Sequence, residues 1–113
     1  MMRTMLRAKL HRLTVTATDI NYEGSITLDK KLTRKADILS GEKVQVVNLN
    51  NGERFETYVI EGGDGVVCLN GAAARLAVPG DRIIVIAYAL AEEDETKKLK
   101  PKIILVDERN KIK

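Results

Sequence analysis

Tryptophan is absent from this 113-residue chain, and cysteine, histidine and phenylalanine occur once each, as Cys68, His11 and Phe55. A lone cysteine excludes an intrachain disulfide and any zinc site built from clustered thiolates. A lone histidine leaves little material for a Ser-His-Asp triad, and no Gly-x-Ser-x-Gly elbow supports one. No paired spacing of His or carboxylates suggests a metal centre, so no metal is expected. One Phe and three Tyr are too few for an aromatic platform that stacks single-stranded nucleic acid. No apolar run approaches the ~20 residues of a membrane span, so no membrane partner is expected. The start Met1–Arg12 is basic but too polar for a secretory signal. A cytoplasmic protein poor in side-chain catalysts is the expectation.

What is present fits one domain. The length is that of a single domain, able to bury roughly two-thirds of its surface without a metal or disulfide staple. The 19 Lys+Arg against 16 Asp+Glu give a net charge of +3, mild support for an anionic partner. Much of that excess is local, since Lys97, Lys98, Lys100, Lys102, Lys111 and Lys113 crowd one end. Residues 91–113 therefore read as a partly exposed charged tail.

The patterning is mostly β, with one or two short helices. Between Met5 and His11, Leu6, Ala8 and Leu10 alternate with Arg7, Lys9 and His11, the period of a strand with one basic face. Val15–Asp19 continues in β-favouring residues, and Asn21 opens a turn into Tyr22–Leu28. Asp29 is placed to cap a short helix with Leu32 and Ala36 inside, running to Ile38–Leu39 and stopped by Ser40-Gly41. Lys43–Leu49 and Arg54–Ile60 flank Asn50-Asn51-Gly52-Glu53, a hairpin signature. Turns at residues 61–65 and 78–81 bracket a short strand at Val66–Leu69 and a brief helix after Asn70. Arg82–Leu90 and Ile103–Val106 complete the strands. Gly41-Glu42-Lys43-Val44-Gln45-Val46-Val47 recurs as Gly80-Asp81-Arg82-Ile83-Ile84-Val85-Ile86. Two copies are too few for a solenoid, and two similar halves closing one small barrel is the expectation.

Chemistry has one other source, the backbone at Gly24-Ser25. A Ser hydroxyl held against the preceding carbonyl can convert the amide to an ester, and elimination then cleaves the chain. Hydrolysis of the resulting dehydroalanine leaves a pyruvoyl ketone, an electron sink of the kind pyridoxal phosphate provides elsewhere. Glycine at 24 would leave room for the unusual backbone geometry. Gly-Ser pairs are common turn formers, so the neighbours decide. On the strand after Gly52, Arg54, Glu56 and Tyr58 share one face, with Phe55, Thr57 and Val59 on the other. Arg54 offers a bidentate carboxylate clamp, Lys9 a second cation and Tyr58 a phenolic proton. Together they describe a site for a small amine that carries carboxylates. His11 shares the face of Lys9, and a structural imidazole serves there as well as a catalytic one. Cys68 reads as a buried inert thiol.

Four blocks resemble the pyruvoyl-dependent aspartate 1-decarboxylase family: Arg3–Leu6 with Lys9–Arg12, Tyr22–Ser25, Asn51–Tyr58 and Leu69–Ala74. The resemblance runs from about residue 1 to 90. It implies a double-psi β-barrel and a homotetramer with active sites between subunits. It implies self-cleavage into a β chain, 1–24, and an α chain, 25–113, that starts with a pyruvoyl made from Ser25 and needs neither pyridoxal phosphate nor metal. By the same resemblance the pyruvoyl forms a Schiff base with L-aspartate, which loses carbon dioxide to give β-alanine for pantothenate and coenzyme A. Lys9 and Arg54 would hold substrate carboxylate, Tyr58 would donate the proton, and Thr57, Gly71, Ala72 and Ala73 would contact substrate. Tyr22, Gly24 and Asn70 would support cleavage. An accessory maturation factor is neither required nor excluded by these residues.

A rival reading comes from another class. Gly, acid, base and then alternating apolar residues also resembles the AbrB-type swapped-hairpin DNA-binding proteins. That reading makes Arg7, Lys9 and His11 a phosphate-contacting face with salt-dependent binding, and leaves the Tyr22–Ser25 block unused.

Overall fold

A computed structural model describes residues 1–113. Eight strands carry the fold: β1 (Met2–Thr14), β2 (Ala17–Asp19), β3 (Ser25–Asp29), β4 (Lys43–Asn48), β5 (Arg54–Gly62), β6 (Val67–Asn70), β7 (Arg82–Glu92) and β8 (Lys102–Leu105). Two short α-helices, α1 (Lys30–Ala36) and α2 (Glu93–Thr96), and a 3-10 turn at Gly71–Leu76 lie between them. The mostly β expectation holds, with three short helical segments instead of one or two.

The strands form one sheet in the order β2-β6-β3-β5-β4-β7-β1-β8. β1 and β2 stand toward opposite ends of that order, yet only Val15 and Thr16 separate them in the chain. Three Cα steps reach at most ~11 Å, so the sheet has to curl until its ends approach. Thr16 N donates to Val67 O at 2.8 Å just where the chain crosses over. Such curling is what the barrel expectation requires.

The sequence echo has a structural counterpart. Gly41 N donates to Val59 O and Val59 N to Glu42 O; Gly80 N donates to Val15 O and Val15 N to Asp81 O. Both glycines have positive φ, +88° and +98°, a conformation that side chains disfavour. In each copy the acid also accepts from the backbone three residues earlier, Glu42 from Leu39 N and Asp81 from Val78 N. The strands that follow, β4 and β7, pair antiparallel with Val46 opposite Val85. The two halves meet there.

Local expectations hold at most elements and slip at two. Asp29 caps α1, its Oδ1 accepting from Lys31 N at 2.8 Å, and Leu32 and Ala36 are fully buried. The helix stops at Asp37 (φ +57°), short of the expected Ile38–Leu39. Asp tolerates the left-handed region, and Ile38 N closes back on Thr33 O, which turns buried Ile38 into the core. In β1 the pairing with β7 shifts between Leu6 and Ala8. Leu6 therefore lies opposite exposed Tyr88, while Ala8 and Leu10 are fully buried. A bulge at Arg7 has flipped the phase that strict alternation implies.

The core is a cluster of 21 residues drawn from every strand but β2, among them Ile26, Leu28, Val59 and Leu69 beneath the Gly24–Ser25 corner. Each fully buried Leu or Ile of this kind contributes about 1.5–3 kcal/mol of transfer free energy. Part of the charged tail also belongs to the fold. β8 runs parallel to β1, and Asn110, 1% exposed, donates from Nδ2 to Thr14 O and Gly65 O.

Candidate active site

Gly24–Ser25 lies where the chain enters β3, the strand between β6 and β5. On one side Ser25 is directly opposite Asn70 in the antiparallel ladder, with Thr27 opposite Cys68. On the other, β5 runs parallel with Val59 beside Ile26, which brings Thr57 and Tyr58 alongside the bond. Period-two alternation puts Ser25 and Thr27 on one face of β3, and Cys68 and Asn70 on the matching face of β6. Ile26 and Leu69 point the other way into the core.

Those four polar side chains are linked. Ser25 is fully buried, and its Oγ donates to Glu23 O at 2.8 Å. Asn70 Nδ2 donates to Ser25 Oγ and to Thr27 Oγ1, both at 2.9 Å, and Cys68 Sγ lies 3.2 Å from Asn70 Oδ1. Burial raises the Cys68 pKa, with the Asp19 charge adding to it, which keeps the thiol protonated and able to donate. Every buried side-chain polar atom is satisfied. The Ser25 hydroxyl is thereby fixed against the carbonyl two residues before it.

The close approach falls at Gly71 and not at Gly24. Apart from its chain neighbours, a Cβ on Gly24 would meet nothing within 4 Å. Gly71 has φ +67°, and a Cβ there would lie 2.7 Å from Gly24 Cα and 2.8 Å from Gly24 N. Gly71 permits the backbone after β6 to press on the residue before Ser25. Tyr22 is half-exposed at the turn leading in, where Asp19 Oδ1 accepts from Asn21 N, and its carbonyl also faces Gly71.

A cleft of ≈ 420 Å³ opens over this corner, and its walls include Gly24, Phe55, Thr57, Tyr58, Ala72 and Ala73. Five expected site residues thus share one cavity. Lys9 and Arg54 are not among its walls. Lys9 pairs with Ile86, which pairs with Gln45, which pairs with Glu56, so three strand spacings, ~14 Å, separate the Lys9 and Glu56 backbones. Arg54 is exposed on β5 and donates to Gln45 Oε1 at 3.1 Å, an atom that also accepts from the Tyr88 hydroxyl at 3.0 Å. His11 lies next to β8, opposite Leu105; burial lowers its pKa, helped by Lys9, Arg12 and Arg82, so the neutral imidazole is favoured. The basic face of the DNA-binding reading is broken, since Arg7 turns to Asp37 O and the Glu42 carboxylate.

Thr27 and Gln45 carry no site signal of their own in the sequence, where Cys68 reads as an inert thiol. The signal for Thr27 and Cys68 is one of position: each stands two residues from a named site residue on a strand, and so on its face.

The chain matches the model of the family described as "Aspartate decarboxylase" over residues 1–113. It is 59% identical to the aspartate 1-decarboxylase of Pelotomaculum thermopropionicum, covering 99% of this chain and 86% of that one. It is 58% identical to that of Thermoanaerobacter pseudethanolicus, covering 98% and 97%, and 60% identical to that of Bacillus cytotoxicus, covering 99% and 90%.

Proposed function

The chain belongs to the aspartate decarboxylase family, and from that premise we propose that it makes its own electrophile by cleaving between Gly24 and Ser25 and then decarboxylates L-aspartate. The aspartate decarboxylase activity follows from full-length identity of about 58–60% to enzymes of that name; the DNA-binding alternative is not needed. The single observation that carries the cleavage reading is the buried Ser25 hydroxyl, bonded to Glu23 O and Asn70 Nδ2 beside a Gly71 that admits no side chain.

These residues fit a pyruvoyl group at position 25. A ketone there would supply the electron sink for loss of carbon dioxide, the task that side chains of this composition cannot perform. The chain's own residues do the rest. Thr57, Ala72 and Ala73 line the cleft in which the substrate would lie beside residue 25. Tyr58, at the cleft and partly exposed, holds the proton to be delivered to the carbon that loses its carboxylate. Arg54, fixed by Gln45, and Lys9 bind and orient carboxylate.

Lys9 is too distant to serve the Gly24 cleft of its own chain, and the outer sheet face is apolar: Tyr88, Leu90, Ile103 and Leu105 are each at least 42% exposed. We read this face as the contact between copies of the chain, so that a neighbour completes the site in a homotetramer of cleaved protomers, 1–24 and 25–113. No helix is long and apolar enough to cross a membrane. A single, partly buried thiol suits a reducing compartment, and the reading places the enzyme in the cytoplasm.

Intact-mass measurement of purified protein tests the proposal. Two fragments split after Gly24 are expected, the larger blocked at its N-terminus, and Ser25→Ala is expected to stay full-length and release no carbon dioxide from aspartate. A wild-type chain that remains whole on prolonged incubation, or an active Ser25→Ala, would overturn it.

A further inference from the structure

We propose that Thr27 and Cys68 are positioning residues for self-cleavage, acting together to lock the Asn70 amide with its N–H on Ser25 Oγ. The inference rests on the cleavage reading and adds the device that controls its rate. An Asn side chain can present either N–H or C=O to a neighbour, and the two orientations are nearly isosteric. Here the surroundings choose. The Ser25 hydroxyl hydrogen is committed to Glu23 O, so Oγ has only lone pairs to offer Asn70. Thr27 Oγ1 takes the second N–H at 2.9 Å, and the Cys68 thiol, whose nearest acceptor is Asn70 Oδ1 at 3.2 Å, fills the carbonyl side. With Asn70 only 3% exposed, water offers no substitute partner.

This orientation matters at a definite atom. Attack of Ser25 Oγ on the Gly24 carbonyl carbon forms a C–O bond, breaks the C–N bond and leaves the residue-25 nitrogen as an amine with the hydroxyl proton. Elimination then removes the Cα proton of residue 25 and breaks its Cβ–Oγ bond. Oγ departs with the electron pair as one oxygen of the Gly24 carboxylate, leaving dehydroalanine, which water hydrolyses with release of ammonia. Negative charge therefore develops on the oxygen that Asn70 Nδ2 already touches, and a preset donor there favours departure. A flipped amide would put a carbonyl dipole against the same oxygen and oppose it.

The test follows the fraction cleaved against time by intact mass in freshly synthesised full-length chain, with aspartate turnover per mole of ketone at residue 25 measured in parallel. Thr27→Val, similar in shape but without the hydroxyl, is expected to slow cleavage by about tenfold. Thr27→Ser, which restores the acceptor, is expected to recover most of the rate. Cys68→Ala should slow cleavage and Cys68→Ser should not. Turnover per ketone should fall far less than the cleavage rate, a split that general loosening of the fold would not produce. Thr27→Val and Cys68→Ala cleaving at the parent rate would overturn the positioning role while leaving self-cleavage intact. A parent chain that never cleaves would overturn the reading on which it rests.

Discussion

The corner around Gly24–Ser25 and the outer face that carries Lys9 and Arg54 are built on opposite principles. The corner is closed: Ser25 and Asn70 are at most 3% exposed, hydrogen bonds are saturated, and a glycine is forced by backbone contact. The outer face is open, with Arg54 and Tyr88 converging on Gln45 at the surface and Lys9 three strands from β5. A reaction within one chain can be prepared entirely by that chain. Binding a small diacid requires cations brought from a wider surface, and a single curled sheet presents them outward. On the proposed reading, cleavage belongs to the folded protomer and substrate turnover to an assembly of copies.

Gly71→Ala attacks the closed region and carries the largest expected effect. Positive φ together with the approach to Gly24 should cost about 3 kcal/mol, seen as a melting temperature lower by roughly 10–20 °C and as failure to cleave. Normal cleavage by this variant would show that the corner is less rigid than its packing indicates. Arg54→Gln probes the open region. Cleavage should proceed at the parent rate, while KM for aspartate rises about 10–100-fold through loss of a charge-assisted carboxylate bond. Equal damage to both readouts would erase the proposed division of labour.

The smallest effect lies away from both regions. Asp64, paired with Lys31 and Lys111, has its carboxyl held down from 3.8 to about 2 by those hydrogen bonds and charges. A carboxyl with a depressed folded pKa adds stability above the unfolded value, and that stability is lost as pH falls through about 2. Asp64→Asn should therefore flatten the fall in melting temperature between about pH 4 and pH 2 and change neither cleavage nor turnover. These three side chains are 41–64% exposed, so the change should be slight.

Short-range signals made most of the fold legible. Asp29 before a helical stretch, Asn-Gly between two β runs and the repeated Gly-acid-base pattern each act within a few residues, and each appears where expected. The bulge at Arg7 and the early stop at Asp37 were not legible, because the packing of β1 on β7 and of Ile38 on the core decided them. The site divides in the same way. Gly24-Ser25 and the Arg54–Tyr58 strand could be picked out by residue type.

By itself the sequence determined the mostly β class and the Gly24-Ser25 pair proposed for cleavage, since these depend on residue type, local chemistry and a period of two. Only the tertiary structure decided that Asn70 meets Ser25, that Thr27 and Cys68 contact the same amide, and that the glycine pressed against its neighbours is Gly71. Those contacts join β3 to β6 across more than forty residues of chain. No local pattern encodes such a distance; it is fixed by how the sheet curls.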